Sequence, residues 1–369
     1  MSSEAAVAPS CEGGTPRPPR PQAPSPLARA RALAPQIAAA ADDIDREREL
    51  PEALVEAMVS AGMFRLLVPR AIGGEEMDWL EYLDVVRTIA EADGSVGWCL
   101  NQGAVFATTS ACCSEPLARE VWGDPRTVVG NGPPKGCTSV PTDGGYLLSG
   151  RWMFSSGCRH ANWIAALTVE DGVRLHMLPH DEVTFVDVWQ VQGLRGTGSF
   201  AFETDGLFVP ERRVMHNYGS QREPGPLYVV PQHLLFACGF GCVALGVARA
   251  GLDATIALAD DKRPRFVKRP ISESEVVQHQ IGKAEATWRA AKALLHETVG
   301  NVWESVRATG EITVEQRIHL RMAGTHAIRQ SMEAVDIAYN LSGADAIFAS
   351  KAIQRRFQDA HVITQQVQG

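Results

Sequence analysis

Two stretches bring together side chains that could do chemistry. Ser155-Ser156-Gly157 follows Trp152-Met153-Phe154 directly, setting two hydroxyls and a bare backbone at the end of an apolar run. Gly193-Leu194-Arg195-Gly196-Thr197-Gly198-Ser199 has the same character further along. Small hydroxyls at a strand end can hydrogen-bond a flat ligand, and glycine lets the backbone come close to it. The same strings also read as two ordinary turns. Other chemistries lack their residue patterns. The eight cysteines, at 11, 99, 112, 113, 137, 158, 238 and 242, form no CxxC pair and no cluster with histidine, which argues against a disulfide framework or a zinc site. Gly196-Thr197-Gly198-Ser199 lacks the spacing of a nucleophile elbow. No GxGxxG opens a helix after a strand, so a nucleotide-binding Rossmann domain is not expected. Redox chemistry on such a chain needs an organic cofactor.

The elements that must position these loops follow from periodicity. Residues 1–25, rich in Pro, Ser, Ala and Gly, read as a disordered tail. Residues 26–125 read as a domain of short helices, in which Asp78 caps a helix striped by Leu80, Leu83, Val86 and Ala90. Over 126–215 the period shortens to strands separated by Gly, Pro, Asp and Asn. Asp143-Gly144-Gly145 marks a tight turn, and Tyr146-Leu147-Leu148 and Trp152-Met153-Phe154 read as two short strands. Over 216–369 the pattern is helical again. Pro231–Asp260 is glycine-studded, Val277 to Val302 carries one apolar stripe, and Thr313 with Gln316 forms a capping box. Ile318, Met322, Met332, Val335 and Tyr339 follow on the next helix. Four long amphipathic helices predict an antiparallel bundle.

The net charge of −8 gives no electrostatic case for nucleic acid or an anionic membrane. No apolar run is expected to reach the roughly 18 residues of a spanning helix. The first 25 residues hold no signal-peptide core, so a cytoplasmic protein is expected.

The order helical domain, β domain, helical bundle resembles the acyl-CoA dehydrogenase superfamily from about residue 26 to 369. Ala61-Gly62-Met63-Phe64, Val68-Pro69, Gly73-Gly74, Val209-Pro210, Leu341-Ser342-Gly343-Ala344 and Gln354-Arg355-Arg356-Phe357-Gln358-Asp359 carry that resemblance. Asp93-Gly94-Ser95-Val96-Gly97-Trp98, Val121-Trp122-Gly123, Ser155-Ser156-Gly157-Cys158 and Leu194–Ser199 resemble its flavin-dependent monooxygenase branch more closely. The fold implied is α+β, with an N-terminal helical domain, a central β-barrel or sandwich and a C-terminal four-helix bundle. The activity implied is that of an oxygenase component. It would take reduced flavin, FMN or FAD, from a separate NAD(P)H:flavin reductase, and use dioxygen to hydroxylate a small aromatic, polycyclic or amine substrate. A homo-oligomer, tetramer or dimer, is implied too.

The resemblance also implies roles. Ser156 would hydrogen-bond near the reactive face of the flavin, with His160 and His361 as further catalytic candidates. Trp152, Ser155, Thr197, Ser199, Arg263, Gln278, Ser342 and Gly343 would contact the flavin; Trp98, Asn101, Phe106 and Gln366 would contact the substrate. Two departures stand out. Gly130-Asn131-Gly132-Pro133-Pro134 replaces the superfamily's Thr-Glu-Pro flavin loop, which suits a flavin that diffuses in and out. Gln366 stands where the branch often has histidine, and glutamine is no base near pH 7. The alternatives are an acyl-CoA-dehydrogenase-like FAD oxidoreductase, for which no Glu or Asp follows Asp359, or a member with altered or lost chemistry.

Overall fold

The computed structural model describes residues 24–169, 172–216 and 221–369. The tail expected over residues 1–25 therefore lies outside the described residues as far as residue 23. Ser25 already caps the first helix, its Oγ accepting the Ala28 N–H.

Among the described residues six α-helices come first: α1 (Pro26–Ala39), α2 (Ala41–Glu47), α3 (Glu52–Ser60), α4 (Trp79–Ala92), α5 (Gly94–Phe106) and α6 (Glu115–Trp122). Asp78 caps α4 as expected, accepting from Leu80 N at 2.9 Å. Asp93 caps α5 in the same way, accepting from Ser95 N at 2.9 Å and Val96 N at 3.1 Å. The small residues of α5 let the helix sink almost wholly into the core, which makes it a rigid mount for Trp98 and Gln102.

Eight strands follow among the described residues: β1 (Val129–Gly132), β2 (Pro134–Thr142), β3 (Gly145–Ser155), β4 (Trp163–Thr168), β5 (Arg174–Pro179), β6 (Thr184–Val186), β7 (Phe200–Pro210) and β8 (Val214–Met215). They form two four-stranded sheets, ordered β1-β4-β5-β8 and β2-β3-β7-β6; only the β1–β4 pairing is parallel among the pairs described. The two short strands expected around Ser149-Gly150 are one strand, β3, whose register against β2 and β7 slips near Gly150. Trp152, expected at the flavin, is fully buried. It stacks on Phe202 with ring centroids 4.9 Å apart and planes 4° from parallel, and its Nε1 donates to Leu167 O on the other sheet at 2.7 Å. A large ring with one satisfied donor pins the two sheets together.

The last five helices are α7 (Pro226–Val229), α8 (Gln232–Asp261), α9 (Glu275–Thr309), α10 (Val314–Ser342) and α11 (Ala352–Ile363). Thr313 and Gln316 complete the capping box of α10. Two expectations fail here. α8 is not amphipathic: it is long and apolar enough to cross a membrane by length and composition, and 83% of that apolar window is buried inside the protein. On α10, Ile318 and Met322 face outward, 59% and 54% exposed. Leu320, Ala323, Ala327 and Ile328 face α8 and α9 instead. Small residues on the inner face let the helices approach closely, so size, not hydrophobicity alone, chose the buried side. Cys99, Cys112, Cys113, Cys158, Cys238 and Cys242 form no disulfide among the described residues.

Candidate functional site

The cavity that the two loops help to line has a volume of about 510 Å³ and sits where the β sheets, α5, α8 and α11 meet. β1 supplies Asn131; the end of β3 supplies Phe154 and Ser156; the second loop supplies Leu194, Thr197 and Ser199. α5 contributes Trp98 and Gln102, and α8 contributes Phe236 and Phe240. The segment after α11, residues 365–368, closes one side. It is held to α10 by Thr325, whose hydroxyl donates to Gln368 O at 2.8 Å, and by Arg321, which bonds the Gln368 side chain and the Val367 carbonyl.

The hydroxyls form a relay with a definite polarity. Thr197 Oγ1 donates to Leu194 O at 2.8 Å, and a carbonyl can only accept. Ser199 Oγ, 2.7 Å from Thr197 Oγ1, must then donate to it; Ser156 Oγ, 2.7 Å from Ser199 Oγ, must donate in turn. Trp98 Nε1 donates to Ser156 Oγ at 3.1 Å. Each hydroxyl offers one proton and two lone pairs. Ser156 has spent its proton on Ser199 and one lone pair on Trp98. It keeps one lone pair, an acceptor, at the cavity wall.

Behind that wall lies a buried acidic pair. Asp359 Oδ1 accepts the Leu194 N–H at 2.6 Å, and Leu194 sits at φ +49, a left-handed conformation unfavourable for a branched side chain. Gly193 lies so close to α11 that a Cβ there would come within 2.4 Å of the Gln358 backbone. Burial, and next the neighbouring Asp93 carboxylate, raise the Asp359 carboxyl to about 7. Burial likewise raises Asp93. Arg356 reaches past them to the Glu91 and Ala92 carbonyls at 3.0 and 2.6 Å.

The structure gathers Ser156, Thr197, Ser199, Trp98 and Gln366 at the cavity and leaves the other expected residues elsewhere. Ser155 is fully buried and faces Gly132. His160 packs under Gly157 and against Phe64, ring centroids 6.0 Å apart, outside the cavity lining, and burial lowers its imidazole to about 4. His361 Nε2 lies 2.8 Å from Asp336 Oδ1 on α10, with its ring on Phe357. Asn101 is sealed beneath Gly239 of α8, accepting from Tyr82 Oη at 3.0 Å. Phe106 belongs to a separate apolar cluster with Leu117, Trp122 and Val129. Arg263 and Gln278 bond nearby carbonyls, of Asp261 and Ser272, and Ser342 and Gly343 end α10; none of these four lines the cavity. His361→Ala should therefore leave turnover within about twofold of wild type in steady-state assays. A larger loss would restore it as a catalytic group.

Phe236, Phe240 and Phe154, which the sequence did not single out, complete the walls. Phe240 stacks on the expected Trp98 with centroids 3.9 Å apart, and Phe236 extends the tier, 5.8 Å from Phe240. The spacing of Phe236 and Phe240, one helical turn apart on α8, was the available signal. Phe154 gave none. Strand alternation puts it on the same side as buried Trp152, but its left-handed φ of +54 turns it out, 62% exposed, at the cavity beside Trp189.

The acyl-CoA dehydrogenase N-terminal domain matches residues 28–120, and the C-terminal domain of that family matches residues 238–368. The oxygenase subunit HsaA, a flavin-dependent monooxygenase of Mycobacterium tuberculosis, is 30% identical over 345 residues, 89% of this chain and 88% of that protein. The chain belongs to the flavin-dependent monooxygenases of the acyl-CoA dehydrogenase family. Within this monooxygenase group, indole-3-acetate monooxygenase of Pseudomonas putida is 29% identical over 331 residues, 88% of this chain and 85% of that protein. The structure of XiaF from Streptomyces sp., in complex with FADH2 and glycerol, shares the fold with a TM-score of 0.87 at 21% identity, covering 93% of this chain and 91% of that one. Group membership makes the chain an oxygenase component, and the geometry above shows what its residues offer to that chemistry.

A reduced flavin fits these residues. The cavity has aromatic faces, an acceptor at Ser156, and a donor at Asn131 Nδ2, which is buried without a partner because Gln102 Nε2 occupies Asn131 Oδ1 at 3.1 Å.

Proposed function

We propose that this oxygenase component takes reduced FMN or FAD from a separate NAD(P)H:flavin reductase and, with dioxygen, hydroxylates a small aromatic substrate in this cavity. The hydroxyl relay ending on Ser156 carries the reading. A reduced isoalloxazine bears ring N–H groups, and the relay leaves Ser156 an acceptor to meet one of them. The flavin, when bound, supplies the two electrons and activates the oxygen. The chain does the rest. The buried Trp98–Phe240 stack excludes water, and Phe154 and Trp189 add flat faces; Asn131 and Ser156 hold polar edges in place; Asp359 and Leu194 hold the relay in register. Arg263, Gln278, Ser342 and Gly343 remain proposed contacts for the flavin tail. Their distance from this chain's own cavity lining supports a homo-oligomer, dimer or tetramer, in which a second copy supplies them. The outward apolar residues Val314, Ile318 and Met322 support an oligomer too. The dehydrogenase alternative needs a carboxylate base at the substrate, and among the described residues no Asp or Glu lines the cavity.

Anaerobic protein with reduced FMN or FAD, mixed rapidly with oxygenated buffer, should show a transient absorbance belonging to neither reduced nor oxidised flavin. Calorimetry should show reduced flavin binding more tightly than oxidised. Failure of either reduced flavin to bind would remove the assignment.

A further inference from the structure

We infer that the substrate is a neutral, flat aromatic molecule with a hydrogen-bonding edge, and that the cavity discriminates against carboxylate-bearing aromatics. This rests on the reading of the cavity as the oxygenase site. Among the described residues that line it there is no Lys, Arg, His, Asp or Glu. Its polar groups are hydroxyls and carboxamides. The hydroxyls are committed to the relay. Asn131, whose NH2 faces no protein acceptor, is taken by the flavin in that reading. The Gln366 Oε1 atom accepts the Gln368 N–H at 2.6 Å, which leaves that side chain its NH2 for the substrate. A carboxamide donor suits a neutral carbonyl, hydroxyl or heteroatom on the ring edge.

The rest of the lining is ring surface. The Trp98–Phe240–Phe236 tier on one side and Phe154 with Trp189 on another present π faces, which favour a planar arene stacked or edge-on. A carboxylate brought among them would lose its water without gaining a cation. An unpaired ion in such surroundings loses more in hydration than a neutral amide donor returns. An acid and its isosteric amide should therefore bind differently here, although they differ by little except charge.

The test uses full-length protein, anaerobic and saturated with reduced FMN, titrated by calorimetry and by quenching of indole fluorescence at pH 7.5. The probes are indole-3-acetamide and indole-3-acetate, alike in shape. The amide should bind at least about tenfold more tightly, the ratio that about 1.4 kcal/mol produces. Gln365→Arg, which sets a cation at an exposed position on the cavity wall, should improve acetate binding several-fold and bring the ratio towards one. Equal or tighter binding of the acetate to wild type would overturn the inference. So would a ratio that Gln365→Arg leaves unchanged, since charge would then not be the cause. Absence of binding by both probes, with reduced FMN still bound, would overturn it as well. Failure of reduced FMN itself to bind would instead strike the assignment on which the inference rests.

Discussion

Ser156→Ala should divert reduced flavin from product to hydrogen peroxide, lowering the product-to-peroxide ratio by roughly 10- to 100-fold. That range corresponds to about 1.4–2.8 kcal/mol, the order of cost when a buried hydrogen-bonding group is left unpaired. Three features make the loss large. The hydroxyl is buried, so water does not replace it cheaply. Its orientation is determined by Trp98 on one side and by Ser199 and Thr197 on the other, so no reorganisation is needed when the ligand arrives. Its removal also leaves Trp98 Nε1 without its acceptor in a buried setting. Stopped-flow oxidation of reduced flavin, with product and peroxide measured together, checks this. Ser156→Thr keeps the hydroxyl and should retain much of the coupling. An Ala variant with unchanged coupling would show that the relay ends on something else.

Asp359 should separate into two effects according to the substitution. Asp359→Leu removes the acceptor of the Leu194 N–H, at a cost of about 1–3 kcal/mol for the buried donor left behind. Leu194 is held against its own conformational preference, and its carbonyl receives three donors: Thr197 N, Thr197 Oγ1 and Trp189 Nε1. Releasing it loosens the loop that carries the relay, so reduced-flavin affinity should fall by about tenfold or more. Asp359→Asn keeps an oxygen for Leu194 and should restore that affinity.

The same pair differs in pH dependence. Asp359 faces Asp93 at the start of α5, with Arg355 and Arg356 on its own helix, and its carboxyl is raised from 3.8 to about 7 by burial and then by Asp93. Between those values the folded chain keeps a proton that the unfolded chain has released. Wild-type stability therefore falls as pH rises through that window, by up to about 1.4 kcal/mol per pH unit, and levels off above it. The Asn variant has no such proton. Urea unfolding from pH 4.5 to 8 should show the two curves diverging, with the variant relatively more stable at pH 8. Parallel curves would show that Asp359 is ionised throughout.

The sequence by itself determined the order of helical, β and helical regions, because each is written in a local period. It determined the caps at Asp78 and Thr313, because a cap needs only residues three apart. It also brought forward both loops of the relay, since hydroxyls beside glycine are visible in the string. Tertiary structure decided which face each residue took. Trp152 and Phe154 look equivalent in a strand, yet one left-handed residue sends the first to the core and the second to the cavity. Ile318 and Leu320 are similar in hydrophobicity, and only the close approach of α8 chose between them. His160 and His361 have the chemistry of bases, but neither lines the cavity: one is packed under Gly157 and Asp336 holds the other on α10. The role of Asp359 was least accessible of all. It depends on contact with Leu194, a residue 165 positions away, and no local period encodes a contact of that range.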